Sequence, residues 1–213
     1  MSYTLQTGRE HFDYRGFLLC GNHGEQRILC PDQRAAQQEK SVVFLLSLEQ
    51  APPVTMVLKL YGQEPFFRQT MDESFHMVER MFQLDLTKRI SPEADNVQGQ
   101  AEFASSQEPY GPLLSFIFGY SLAQLWQHWG VFPQAVAGDW IGEYVGACLA
   151  NVFSREDALK LLFFQGEVPE GMVLGQPAIP VLSNISQTWM EEVQATSPDY
   201  CKGVLNQTGN LLV

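Results

Sequence analysis

The chain has 213 residues, enough for one domain with a real core or for one domain and a small flanking element. Its hydrophobic residues at 45% and charged residues at 17% exclude a disordered chain, and a net charge of -11 excludes the basic surface that nucleic acid needs. No apolar run is long enough to span a bilayer, and the N-terminus shows no basic segment leading into an apolar stretch, so neither a membrane span nor a secretory signal is read.

Residues 2–20 read as a short helix, a turn near Asp13 and an apolar strand ending at Cys20. Residues 21–40 are polar, with Gly21, Gly24 and a Gln-rich run to Lys40, and are expected to form a loop with at most one solvated helix. Ser41-Val-Val-Phe-Leu-Leu-Ser47 is a continuous apolar run of strand length, the pattern of a central parallel strand buried on both faces. Pro52 and Pro53 end the following loop, and Thr55–Tyr61 looks helical. Thr70 and Glu73 have capping-box spacing ahead of a helix striped by Met71, Phe75, Val78 and Phe82.

Ile90–Gln107 reads as a polar surface connection. Pro112–Trp129 is a strongly apolar helix ending at Gly130, expected to lie buried beside the sheet. Gly130–Gly138 supplies a short strand, Gly142–Asn151 a helix rich in small residues, and Ser154 with Asp157 caps a helix over Arg155–Phe164. Pro180–Ile185 reads as a further strand, and Ser197-Pro-Asp-Tyr200 as a last helical turn with proline at its first position. Strands alternating with helices predict an α/β layer fold with a parallel sheet.

The chemically suggestive stretch is Gly138-Asp-Trp-Ile-Gly142. In a nucleophile elbow, Gly-x-Ser-x-Gly, two glycines permit a sharp strand-to-helix turn and the central serine presents its hydroxyl. The glycine spacing is kept here, but Trp140 stands at the centre, and an indole neither attacks a carbonyl nor accepts a proton. Cys148, on the same helix, is the best substitute nucleophile, although no basic residue lies near it in sequence and a buried structural thiol is the simpler reading. Asp139 and Glu143, four apart, form either a carboxylate pair for acid–base work or an acidic pair that complements the helix dipole. His128 ends a helix, where a histidine commonly satisfies carbonyls, while His11, His23 and His76 belong to no triad arrangement. Trp126, Trp129, Trp140 and Trp189 read as packing residues. The four cysteines lack metal-ligand spacing and read as reduced thiols in a cytosol, with a Cys20–Cys30 pairing as the lesser alternative. No metal and no cofactor are expected, and the location is expected to be cytoplasmic.

Six segments in order carry a resemblance: Tyr3-Thr-Leu-Gln-Thr-Gly-Arg9, Tyr61-Gly-Gln-Glu-Pro-Phe-Phe-Arg68, Leu122–Gly130, Gly142–Ala150, Val152–Leu159 and Pro180–Trp189. Together they resemble the acyltransferase domain of modular polyketide synthases, with the first segment similar to the linker that follows a ketosynthase. The resemblance implies residues 1–40 as linker and residues 41–213 as an α/β-hydrolase-like large subdomain with a short parallel sheet flanked by helices. It also implies acyl transfer from a coenzyme A thioester to a serine and then to a carrier protein's phosphopantetheine arm.

This sequence departs from that family at four places. Trp140 replaces the nucleophilic serine, and Asp139 the preceding histidine of Gly-His-Ser-x-Gly. Glu49 falls in the glycine-rich oxyanion loop, which here reads Ser47-Leu-Glu-Gln50. Gln165 stands at the arginine that grips the extender carboxylate, where a neutral amide cannot supply a bidentate charged contact. Finally, Gly166–Ile179 is too short for the ferredoxin-like small subdomain and the histidine-bearing segment beyond it. The expectation is a truncated, inactive acyltransferase serving as a structural adaptor in a loading or otherwise unusual module of polyketide (secondary metabolite) biosynthesis. Adjacent synthase domains are the expected partners, with an acyl carrier protein or a trans-acting acyltransferase as alternatives. In such a remnant Trp140 would plug the former cleft. A rebuilt thioester-processing enzyme at Cys148 or Asp139/Glu143 is the remaining reading.

Overall fold

The computed structural model describes residues 17–20, 26–29, 41–48, 52–90, 110–169, 171–197 and 199–200. The chain divides into two units, residues 1–40 and 41–213. In the first, strands β1 (Phe17–Cys20) and β2 (Gln26–Leu29) form an antiparallel pair, Phe17 opposite Leu29 and Cys20 opposite Gln26. The strand Gln26-Arg-Ile-Leu29 corrects the reading of this stretch as loop or solvated helix. Four residues with a polar start carry no period of their own, and the strand is defined by its partner. The expected helix before Asp13 and the Cys20–Cys30 pairing lie outside the described residues or side chains.

The second unit is built on a three-stranded parallel sheet, order β3-β4-β5, from β3 (Val43–Leu46), β4 (Ala135–Gly138) and β5 (Val181–Leu182). The fully buried β4 is central. The expectation that Ser41–Ser47 is the central strand is therefore corrected. Strand β3 lies at an edge, with Val43 and Leu45 exposed at 55% and 65%, while Phe44 and Leu46 pack inward. A short apolar run does not distinguish a strand paired on both sides from one paired on one side. Beyond β5 the chain returns antiparallel, the Ser183 N–H donating to the Thr188 carbonyl (3.0 Å) and the Met190 N–H to the Val181 carbonyl (2.7 Å).

The helices are α1 (Val54–Gln63), α2 (Pro65–Phe82), α3 (Tyr110–His128), α4 (Trp140–Leu149), α5 (Arg155–Phe163) and the short α6 (Glu192–Ala195). The capping box expected at Thr70 is corrected as well. Helix α2 begins at Pro65, suited to a first turn by its missing donor. Thr70, already inside the helix, turns its hydroxyl back to the Phe66 carbonyl at 3.0 Å. Its buried stripe of Phe67, Met71, Phe75 and Val78 packs on α3, where Phe67 meets Phe118 edge to face at 5.9 Å. Helix α3 in turn packs on α4 and α5, and α4 covers β3 and β4. The cap of α5 is as read from the sequence, Ser154 Oγ accepting from the Asp157 N–H at 3.0 Å.

Three of the four tryptophans depart from their reading as packing residues: Trp126, Trp129 and Trp189 are about half exposed. Trp126 and Trp129 touch edge to face at 5.5 Å near the end of α3. Among the described residues, no helix is long and apolar enough to cross a membrane.

Candidate functional site

The site forms where β4 turns into α4. Residues Ala135–Asp139 are buried, and the chain reverses through Asp139 in an extended conformation and Trp140 at φ 39°, in the left-handed region. That region is disfavoured for any residue with a Cβ, by about 1–2 kcal/mol, so the surroundings impose it on Trp140. The two glycines show what the turn demands. A Cβ on Gly142 would stand 1.8 Å from the Leu46 carbonyl oxygen, and one on Gly138 would stand 2.2 Å from the Gly142 carbonyl carbon. Strand β3, strand β4 and the first turn of α4 thus meet at backbone contact. The Gly142 N–H closes the turn by donating to the Asp139 carbonyl at 2.6 Å.

The indole of Trp140 packs on the core, and its Nε1 is buried without a hydrogen-bond partner among the described residues. Asp139, also buried, directs its carboxylate toward the segment after β3, accepting from the Ser47 hydroxyl (2.8 Å) and the Leu48 N–H (2.8 Å). Glu143 is buried facing the opposite neighbour. It accepts from the Asn184 N–H at 3.3 Å and from the Tyr200 hydroxyl, which also contacts Ser183 Oγ. Burial pushes the Glu143 carboxyl above its usual range, against the pull of the Tyr200, Asn184 and Ser183 hydrogen bonds. Asp139 and Glu143 therefore serve separate networks and do not form a carboxylate pair. The role of Tyr200 was not readable from the sequence, since it bonds a residue 57 positions away. Ser183 lay in a segment read only as strand.

Cys148 is buried, its Sγ 3.6 Å from the Ser154 carbonyl. Burial raises its thiol well above the ordinary value, with Asp157 adding to the effect and Arg155 opposing it. A buried thiol whose protonated form is favoured is a poor nucleophile, which weighs against Cys148 as a substitute for serine. Gln165 does not lie in a helix. It sits just past α5 at φ 53°, its N–H donating to the Leu162 carbonyl (3.3 Å) and the Gly166 N–H to the Leu161 carbonyl (2.7 Å), a Schellman ending that leaves the amide exposed. Glu49 lies outside the described residues, as do His11 and His23.

Of the described histidines, His76 contacts the Asp72 carbonyl of its own helix at 2.8 Å, and His128 stacks on Phe66 with ring centroids 4.1 Å apart. Among the described residues, no cluster of His, Cys, Asp or Glu is placed to hold a metal. The connection from α5 to β5 contains no further helix or strand among the described residues. It is pinned instead to the loop after α4, through Gly175 N–H to the Val152 carbonyl and Ala178 N–H to the Ala150 carbonyl, both 2.7 Å.

Comparison with known proteins bears on this arrangement. No protein-family model matches the chain. In sequence it is 29% identical over 136 residues, 64% of its length, to the non-reducing polyketide synthase PKS16 of Cladonia grayi. The chain spans only 6% of that relative's length. In structure it superposes on the acyl transferase domain of ZmaA with a TM-score of 0.79 at 24% identity, over 96% of this chain and 69% of that one. The acyltransferase domain from the second module of the salinomycin polyketide synthase gives a TM-score of 0.64 at 19% identity, over 95% of this chain and 62% of that one. The fold is that of a polyketide-synthase acyltransferase domain. Nearly all of this chain superposes on each solved domain, and it covers about two thirds of each. Within it, the β4–α4 turn has Trp140 at φ 39° between Gly138 and Gly142.

Proposed function

We propose that this chain is a catalytically inactive acyltransferase remnant that serves as a structural adaptor within a polyketide synthase, next to whose other domains it works in the cytoplasm. The observation that carries the reading is Trp140 at φ 39° between Gly138 and Gly142. The turn that would strain a serine into position is retained, and the residue in it has no hydroxyl to acylate. The supporting features are Asp139 bonded inward, Cys148 buried and protonated, and Gln165 exposed at a helix end. Incubation with malonyl- and acetyl-coenzyme A followed by intact-protein mass spectrometry is expected to show the unmodified mass. A stable acyl adduct on any residue would overturn the reading.

A docking module for a neighbouring domain or a trans-acting acyltransferase is the second reading. It is favoured by the exposed Trp126, Trp129 and Phe132 that gather around the end of α3. Calorimetric titration with such an enzyme is expected to give heat that Trp126→Ser with Trp129→Ser abolishes; no heat with the unaltered chain would reject this reading.

A further inference from the structure

In an open parallel sheet, ligands occupy the crevice outside the carboxyl ends of the strands. The carboxyl ends of β3 and β4 are adjacent here, Leu46 lying in register with Gly138. From this geometry we propose that Asp139 is a latch that fastens the segment after β3 onto the elbow and so holds the carboxyl ends of β3 and β4 together. This deepens the reading of the chain as an inactive acyltransferase remnant, and it rests on that reading for its meaning.

Three hydrogen bonds converge on one residue. The Asp139 N–H donates to the Leu46 carbonyl at 3.2 Å, and its carboxylate accepts from the Ser47 hydroxyl and the Leu48 N–H, each at 2.8 Å. Asp139 and Leu48 are buried while Ser47 is exposed, so the Leu48 N–H bond forms away from water, where breaking it strands a polar group. A second anchor is independent of the first. The Leu48 side chain lies over Gly119 of α3, where a Cβ would stand 2.5 Å from Leu48 Cδ1 and 3.4 Å from Val145 Cγ2. The missing Cβ at Gly119 is thus the notch that receives Leu48. Polar fastening at the elbow holds Ser47 and Leu48, and apolar seating on α3 holds Leu48 a second time. The loss of chemistry then has two layers: the nucleophile is absent, and the strand ends where an acyl group would enter are tied together.

Amide hydrogen exchange followed residue by residue in the full chain tests the latch. The Leu48 N–H is expected to be protected to an extent comparable with Ala137 in the central strand. Asp139→Ala is expected to speed Leu48 exchange at least tenfold while Ala137 stays protected, and Asp139→Asn, which keeps an oxygen acceptor, to fall between. Ser47→Ala removes only the hydroxyl half and serves if Asp139→Ala does not fold; it too is expected to speed Leu48 exchange. Loop-like exchange at Leu48 in the unaltered chain, or unchanged protection in these variants, would overturn the latch. Acylation of the unaltered chain by malonyl-coenzyme A would instead remove the inactive reading and leave the latch standing, so the two failures are separable.

Discussion

Replacing Gly142 by alanine tests whether the elbow is held by backbone contact. The added methyl would lie 1.8 Å from the Leu46 carbonyl oxygen and 2.8 Å from its carbon. No rotamer relieves a clash with backbone. Restoring even 3.0 Å, below which real Cβ contacts are essentially never found, requires α4 and β3 to part by about 1.2 Å. Such a shift loosens the β3–β4 ladder and the Asp139 N–H to Leu46 bond together. Overpacking of this kind costs about 1–3 kcal/mol or more, and the gain in helix propensity from glycine to alanine returns at most about 1 kcal/mol. For backbone overlap this severe the upper end applies, about 3 kcal/mol less about 1, and a net loss of about 2 kcal/mol is a large share of a domain stability of about 5–15 kcal/mol. It lowers Tm by about 4–8 °C for a chain of this size. Gly146→Ala is the control, because its methyl would meet side-chain atoms and no backbone, Val136 Cγ2 at 3.3 Å, Val136 Cβ at 3.6 Å and Leu46 Cδ1 at 3.8 Å, and the helix gains propensity. Thermal unfolding followed by circular dichroism is expected to place Gly142→Ala well below the unaltered chain and Gly146→Ala at or above it. Equal melting temperatures for the two variants would refute the argument that backbone proximity shapes the turn.

Two further outcomes follow from the buried groups. Glu143 has its folded pKa raised above the ordinary 4.5, so its neutral form is the one the fold prefers; stability from this group is fully present below pH 4.5 and is lost as pH rises through the folded value. Glu143→Gln, which cannot ionise, is therefore expected to match the unaltered chain near pH 4 and to gain on it progressively above pH 4.5 in urea unfolding; a constant difference across pH would contradict the assignment. Cys148 is expected to resist iodoacetamide at pH 8 in the folded protein and to react once the chain is unfolded in urea, as read by peptide mass spectrometry. Rapid native labelling at Cys148 would show an open helix α4.

Much of the architecture was legible because each part is local. The stripe of Met71, Phe75 and Val78, the strongly apolar α3, the Ser154 cap and the Gly138–Gly142 spacing each specify their own geometry. What was not legible depends on partners distant in sequence. Whether β3 is central or at an edge is decided by a strand 92 residues away, opposite Val43. Thr70 with Glu73 carries a valid capping pattern, yet Pro65 had already started the helix, so the same residues became helix interior. At the site, the missing serine could be read directly. The separate engagements of Asp139 with Ser47 and of Glu143 with Tyr200 could not, because each joins residues 57 to 92 positions apart.

The order of the sheet also sets a timetable for making the protein. Strand β4 is the only one that touches both others, and β3 is translated some ninety residues before it. At about 5–20 residues per second, β3 emerges and waits roughly 5–20 s with nothing of its own sheet to join. During that interval the apolar Val43-Phe-Leu-Leu46 has no partner strand of this sheet, while helices α1, α2 and α3 all precede β4 in the chain. The elbow follows directly on β4, so the first pair of the sheet can form only once the chain has been made up to that turn.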